Sequence, residues 1–236
     1  MIVGPTFFSS PADADPYYGD TILIMNCEQP DGSTTFIDTS PLAQPMVGND
    51  GASIVDHFAS LDGVDDVVLV TVPGPEWDIG TDDLTIEVVA DLASLPSLWT
   101  LITKRSPSLF SVDSGFIIIG NSLGAFQGVV WGPPNPAAVV NVNIIAPNGT
   151  VTTGLHHFCL QRSGSTWTLG YDGVAVGTAT NSDPIGYNAA YDVQLGDDAS
   201  VGGRHFHGKM RARVTRGVAR YTFPFTPNFA PWPDPT

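Results

Sequence analysis

The stretch TGLHHFCLQRSGSTWTLGYDGVAV (residues 153–176) decides the fold class of this chain. Trp167, Leu169 and Tyr171 recur at every second position, which is typical of a strand with one face in a core. The run before them is apolar or small on both faces, which predicts a strand inside a sheet. Asp172-Gly173 favours a tight hairpin turn, because its residues tolerate positive φ. We predict a β-meander at the centre of an antiparallel protein.

The composition extends this interpretation to the whole chain. Of 236 residues, 25 are Gly and 20 are Pro, and only 14 % are charged. Short strand signals separated by turns recur along the chain, and no convincing helix of ten residues is found. An all-β sandwich of this length is ordinary as one domain. No apolar run of about 18 residues is present, so we expect no membrane insertion, and the first residues lack the pattern of a signal peptide.

The charge is distributed unevenly. The net charge is −15, yet residues 1–103 hold 17 acidic residues and no Lys or Arg. Six of the nine basic residues lie within 204–220. The acidic half argues against nucleic acid as the main partner, because a protein that binds phosphates needs clustered cations. We expect the basic residues to pair with the acidic half across a sheet. Alternation over 206–215 predicts a cationic outer face made by His207, Lys209, Arg211, Arg213 and Thr215.

Two cysteines are too few for a disulfide framework. Cys27 and Cys159 each lie in an apolar run and have no metal-ligand spacing. We predict that both are buried free thiols.

Several segments together resemble one family. They are DPYYGDTILIMNCE (15–28), GSTTFIDTSP (32–41), FASLDGVDDVVLV (58–70), IGTDDLTIEVVA (79–90), residues 154–182, FHGKMRARVTRGVARYT (206–222) and FTPNFAPWPDP (225–235). The set is similar to the laminin-G-like domains of the concanavalin A-like lectin/glucanase superfamily, in the version found in tailed-phage virion proteins. The resemblance implies a jelly-roll sandwich of two antiparallel sheets, with the first and last strands adjacent. It divides the chain into an N-terminal arm (1–14), a jelly-roll domain (15–223) and a Pro-rich C-terminal tail (224–236).

The resemblance also implies a function. It predicts a non-enzymatic virion structural protein, such as a capsid decoration, head fibre or tail-associated adhesin, assembled in the host cytoplasm. Its partners would be other virion proteins, further copies of itself and a host-surface glycan. A carbohydrate-binding lectin module is the alternative, and a glycoside hydrolase is a further one.

Two sets of residues are candidate sites. Laminin-G-like domains often hold calcium in acidic loops, which makes Asp62, Asp65, Asp66, Asp197 and Asp198 candidate ligands; solvated turn acids are the alternative. No other cofactor is expected. The second set consists of aromatic residues that would dock on the domain itself or on a partner: Phe7, Phe8, Tyr17, Tyr18 and Trp232.

Three further sequence patterns contain residues that catalysis, zinc binding or sugar binding could use. Glu76-Trp77-Asp78 begins the three-acid pattern of related glucanases, but Thr81 replaces the last acid and the stretch reads as a loop, which argues against catalysis. His205 and His207 could share a face and bind zinc, although nothing fixes a third ligand. Four tryptophans could stack on a sugar or pack in the core: Trp77, Trp99, Trp131 and Trp232.

Overall fold

The computed structural model describes residues 15–71, 73–105, 115–132, 140–198 and 202–233. Within these ranges fifteen strands are defined, and the helical content is confined to short 3-10 turns such as Tyr18–Asp20 and Pro75–Trp77. The strands are β1 Thr21–Met25, β2 Met46–Asn49, β3 Ser53–Val55, β4 Phe58–Asp62, β5 Val67–Val70, β6 Leu84–Leu92, β7 Leu98–Lys104, β8 Phe116–Asn121, β9 Phe126–Trp131, β10 Val140–Ile145, β11 Gly154–Ser163, β12 Thr166–Tyr171, β13 Val174–Thr180, β14 Val193–Leu195 and β15 His207–Arg216.

The strands form two antiparallel sheets, here named sheet A and sheet B. Sheet A runs in the order β13, β12, β11, β6, β15, β4, β3, with β1 also paired to β15. Sheet B runs in the order β10, β9, β8, β7, β14, β5, β2. The first and last strands are neighbours, with Ile24 opposite Arg213. The chain is therefore an all-β jelly-roll sandwich, and the predicted fold class is confirmed.

The meander predicted from the central stretch is confirmed as β11, β12 and β13. Phe158 pairs with Tyr171, and β11 lies between β12 and β6. Trp167 and Leu169 are almost fully buried between the sheets. The period-two alternation predicts this strand correctly because successive side chains of β12 point to opposite faces and every second one is buried between the sheets.

The turn residues Pro147-Asn148-Gly149 predict a hairpin in which residues 139–145 pair with 150–153, and this prediction is wrong. Strand β10 pairs with β9 instead, and Ile145 lies opposite Gln127. Residues 146–153 contain no strand. Pro147-Asn148-Gly149 forms a turn, as predicted. The chain then connects to β11, and no returning strand follows the turn.

The outer face of β15 also differs from the prediction. Lys209 and His207 are partly exposed, but Arg211, Arg213 and Thr215 are buried. The C-terminal segment, defined here as residues 221–233, covers the two arginines, whereas Thr215 contacts Thr21 and Arg220. Tyr221 exchanges two hydrogen bonds with the side-chain amide of Gln161, both 2.9 Å. Trp232 exchanges two more with Asn26, of 2.8 and 3.0 Å.

The two ends of the described chain meet beside this segment. Asp15 and Pro233 line the same small cavity on the outer side of sheet A, together with Arg213, Arg220 and Trp232. No helix within the described ranges has both the length and the apolarity needed to cross a membrane.

Candidate functional site

A polar pocket of about 430 Å³ opens on the outer face of sheet A, beyond the part covered by the C-terminal segment. Strand register builds it, because Ser53 lies opposite Ser60, Ser60 opposite Lys209, and Lys209 opposite Asp91. These four side chains form a polar row across β3, β4, β15 and β6. The remaining lining residues come from the strand ends and adjacent loops: Asp50, Gly51, Leu61, Asp62, Asp66, Ala93, His207 and Gly208. We call this the outer-face pocket.

An acidic cluster lies at one end of the outer-face pocket. One ligand atom from each of Asp62, Asp65 and Asp66 falls within 4.8 Å of the others. Asp62 and Asp65 are exposed, whereas Asp66 is only 4 % exposed. The three residues flank a single turn between β4 and β5, so their proximity follows directly from their spacing in the sequence.

Asp66 is the unusual member of this cluster. Its Oδ2 accepts a hydrogen bond of 2.8 Å from the Asp62 amide, while its buried Oδ1 has no hydrogen-bond partner among the described residues. Burial raises the pKa of Asp66, and the negative charges of Asp62, Asp65 and Asp50 raise it further. A carboxylate oxygen that is buried without a donor is costly, so this atom is suited to receive a positively charged group.

Gly51 packs closely beside that oxygen. A Cβ atom at position 51 would lie 2.8 Å from Asp66 Oδ1, and the backbone φ of +124° also disfavours other residues. The position of the Asp66 carboxylate therefore depends on the absence of a side chain at this turn.

The basic residues of the outer-face pocket already have partners. Lys209 donates a 2.6 Å hydrogen bond to Asp56, which lowers the pKa of that exposed carboxyl. His207 Nδ1 lies 2.8 Å from the Ser94 hydroxyl. The pocket is therefore polar and acidic.

Asp197 and Asp198 do not join the acidic cluster. Asp198 is buried and accepts hydrogen bonds from Arg204 at 2.7 Å and from Arg105 Nε at 3.2 Å. His205 Nδ1 lies 3.1 Å from the carboxylate of Asp197. Both carboxylates thus face cationic or protonatable groups of the chain itself, and the structure does not support them as metal ligands.

His205 and His207 do not form a zinc site with other residues in the part of the chain that the structure describes. His205 faces Asp197 and His207 faces Ser94. The one described group of three metal-ligating side chains is the acidic cluster. Zinc binding at these histidines is not supported.

The aromatic residues predicted for docking pack on their own domain. Tyr18 donates a 2.7 Å hydrogen bond to the Thr39 carbonyl and packs beside Ile24. The Arg220 guanidinium lies 5.0 Å from the ring centre of Tyr17. Trp232 is 5 % exposed and lies under Arg213 at 4.9 Å. Phe7 and Phe8 lie outside the described residues.

The tryptophans offer no sugar platform in the outer-face pocket. Trp77 and Trp99 are buried in the core, and Trp232 is held by the C-terminal segment. Trp131 belongs to sheet B, where the Arg105 guanidinium lies 5.8 Å from its ring centre. Recognition in the pocket would therefore rest on polar and charged groups.

A buried charge network was missed by the sequence analysis. Glu87 of β6 is fully buried and accepts a 2.8 Å hydrogen bond from Arg213. Arg213 and Arg220 both bind Asp15, at 2.9 and 2.6 Å. His157 and the Tyr221 hydroxyl also contact Glu87. Burial would raise the pKa of Glu87, but Arg213 and the two hydrogen-bonding neighbours outweigh it and lower the pKa to about 2.

The carboxylates that could have supported glycoside hydrolysis are unsuited to it. Glu87 is inaccessible and held ionised, so it cannot act as the acid that protonates a leaving group. Glu76 lies in the 3-10 turn Pro75–Trp77, and its Oε1 accepts a hydrogen bond from the Gly74 amide. This confirms the loop assignment of the glucanase-like stretch.

Comparison with known proteins identifies neighbours by structure. No family model matches this sequence, and no curated protein matches it. The botulinum neurotoxin serotype D binding domain aligns with 85 % of this chain and 49 % of its own, at a TM-score of 0.60 and 11 % identity. The chain shares the fold of these binding domains.

Two further neurotoxin structures resemble the same part of this chain. The binding domain of botulinum neurotoxin DC in complex with SialylT covers 84 % of this chain and 47 % of its own, with a TM-score of 0.58 and 12 % identity. A botulinum neurotoxin type C structure, described as dependent for cell entry on interaction with two ganglioside molecules, gives a TM-score of 0.57 at 12 % identity, over 84 % of this chain and 47 % of its own. The chain spans about half the length of these solved chains.

Proposed function

We propose that this chain is a non-catalytic carbohydrate-binding module. The observation that carries the proposal is the outer-face pocket, in which the side chains of Ser53, Ser60, Lys209 and Asp91 form a polar row across four strands. Hydroxyl and carboxylate groups match the hydrogen-bonding pattern of sugars, and a volume of about 430 Å³ lies within the range typical of small-molecule sites. The shared fold with ganglioside- and receptor-binding neurotoxin domains supports a binding role.

We further propose that the module belongs to a phage particle. This part rests on the resemblance of 15–28, 154–182 and 206–222 to laminin-G-like virion domains. The chain would be a decoration, fibre or tail-associated protein, next to other virion proteins and copies of itself, and its glycan would be on the host surface. A cryo-EM map of the intact particle tests this: density that fits the sandwich supports it, and its absence from every position contradicts it.

The acidic cluster is our candidate for a calcium site. Asp62, Asp65 and Asp66 supply the hard oxygen ligands that Ca²⁺ prefers, and the unpartnered oxygen of Asp66 fits that role. Asp197 and Asp198 are no longer part of this candidate site.

A glycan array probed with and without EDTA tests the proposed function. A substitution that fills the pocket, Ser60→Tyr, should reduce glycan binding at least about tenfold, because the polar row can no longer be reached. Ser182→Tyr, at an exposed position in the loop after β13, is the matched control. Binding that survives Ser60→Tyr would place the glycan elsewhere, and turnover of a polysaccharide would contradict the non-catalytic role.

A further inference from the structure

The carboxylates that line the outer-face pocket form no salt bridge with the described residues. Asp50, Asp62, Asp66 and Asp91 all line it. Within the described ranges no salt bridge reaches any of these four carboxylates. The lysine in the pocket is committed to Asp56, which lies outside the lining. Four carboxylates and one lysine that is already paired give the pocket an excess of negative charge, which concentrates positively charged ligands and repels negatively charged ones.

Asp66 shows where a positive group would be placed. Its side chain is buried in the wall of the pocket, and its Oδ1 lacks a donor among the described residues. An unpaired buried carboxylate gains most from a charged donor. The two features, uncompensated charge and an unsatisfied acceptor, are independent and point to the same ligand chemistry.

We propose that the outer-face pocket selects a glycan that carries a free primary ammonium group, that is, an amino sugar that is not N-acetylated. The ammonium group binds at Asp66, and the sugar hydroxyls bind the polar row of Ser53, Ser60 and Asp91. The same charge distribution disfavours glycans that carry carboxylate, sulfate or phosphate groups. This inference rests on the proposed function and names the substrate class of the same site.

A matched pair of ligands tests the charge directly. A β-1,4-linked glucosamine oligomer and its fully N-acetylated counterpart have the same backbone and differ in whether the nitrogen is charged. Isothermal titration calorimetry with EDTA-treated protein, at low salt and a mildly acidic pH at which the sugar amines are protonated, should show at least about tenfold tighter binding of the amine form. The preference should shrink at high salt, because exposed charge interactions are screened.

Two isosteric substitutions locate the interaction. Asp66→Asn should weaken binding of the amine form at least about tenfold, because the charged hydrogen bond that it removes is buried. Asp91→Asn should weaken it about three- to fivefold, the range for partly exposed ion pairs. Both should change binding of the acetylated form little, because Asn keeps the shape and one acceptor oxygen. Asp20→Asn is the control, since Asp20 is exposed and lines a different cavity. Added Ca²⁺ should compete with the amine if both use Asp66.

The outcomes separate this inference from the proposed function. Equal binding of the two oligomers, or an amine preference that survives both substitutions, overturns the inference and leaves the carbohydrate-binding function standing. An amine preference that requires Ca²⁺ also overturns it, because the metal would then supply the positive charge. If neither oligomer binds and the glycan array is also blank, the proposed function itself fails.

Discussion

At the scale of single residues, Glu87 makes a large contribution to stability. Its carboxylate is fully buried and is shared by Arg213, His157 and Tyr221. Removing one partner of a buried ion pair leaves the other partner uncompensated.

We expect Glu87→Gln to lower the free energy of unfolding by about 3–5 kcal/mol. The substitution keeps the side-chain volume and removes the charge that Arg213 faces. Asp82→Asn is the control, because Asp82 pairs with Arg216 in a mostly exposed salt bridge and should cost about 0–1 kcal/mol. Chemical denaturation measures both. Similar losses for the two variants would contradict the special role of the buried network.

The pH dependence of stability follows from the same carboxyl. Its pKa falls from an ordinary 4.5 to about 2 in the folded chain, so its contribution is complete above pH 4.5 and is lost as the pH falls towards 2. The contribution amounts to about 3 kcal/mol. Denaturation midpoints measured between neutral and strongly acidic pH should show this loss, and Glu87→Gln should show a smaller one. Equal acid sensitivity of the two proteins would contradict it.

The two thiols should react slowly in the native protein. Burial raises the pKa of Cys27 to about 12, and it raises the pKa of Cys159 well above its usual value. The thiolate is the reactive species, so Ellman's reagent should label both residues at the rate of unfolding. Urea should accelerate the reaction. Fast labelling of either thiol without denaturant would contradict its buried environment.

At the scale of elements, the C-terminal segment covers part of the outer face of sheet A. Side-chain amides hold it at two points, Gln161 to Tyr221 and Asn26 to Trp232. Between these points Phe225 stacks on Tyr221, their ring centres 3.8 Å apart. The segment contains no regular strand, so side-chain contacts and isolated hydrogen bonds attach it to the sheet.

Trp232→Ala should loosen this segment. A buried Trp lost to Ala costs about 3–5 kcal/mol in a core, and we expect the lower end here because Trp232 packs at the edge of the domain. Since Cys27 follows Asn26, its labelling should accelerate while that of Cys159 does not. Phe229→Ala is the control, because Phe229 is partly exposed and contributes its carbonyl to Arg211. No change in Cys27 labelling would show that the segment is held without Trp232.

The elements also show what could be predicted from the sequence. Strands β11 and β12 were predictable because alternation of side chains is local, and the acidic cluster was predictable because its three residues share one turn. The polar row was not, because Ser53, Ser60, Lys209 and Asp91 meet through strand registers that the sequence does not state. The role of Glu87 was not predictable either, because its partners include residues as distant in the sequence as Arg213 and Arg220.

At the scale of the whole molecule, the open and covered halves of sheet A have different roles. The covered half holds the buried charge network, and the open half holds the outer-face pocket. The uneven distribution of charged residues along the sequence explains both the buried charge network and the acidic pocket. Arg213 and Arg220 are neutralised by acids of the first half, and the acids left over line the pocket.

We expect residues 1–14 to be dispensable for the stability of the domain. The contacts that anchor the start of the described chain are those of Asp15 with Arg213 and Arg220. Deleting 1–14 should leave the melting temperature unchanged within error and reduce incorporation into particles if the arm serves assembly. Asp15→Asn should lower the melting temperature, because it removes the partner of two buried arginines. A large drop on deletion of 1–14 would make the arm part of the domain core.

The meeting of Asp15 and Pro233 around one small cavity has a practical consequence. A domain whose entry and exit points adjoin can be inserted into a surface loop of an unrelated host protein without forcing the host chain apart. Residues 15–233 could therefore be transplanted as a cassette with short flexible joints. The recipient would display the outer-face pocket as a graft, and the strength of sugar capture could be tuned by the number of copies that the recipient carries.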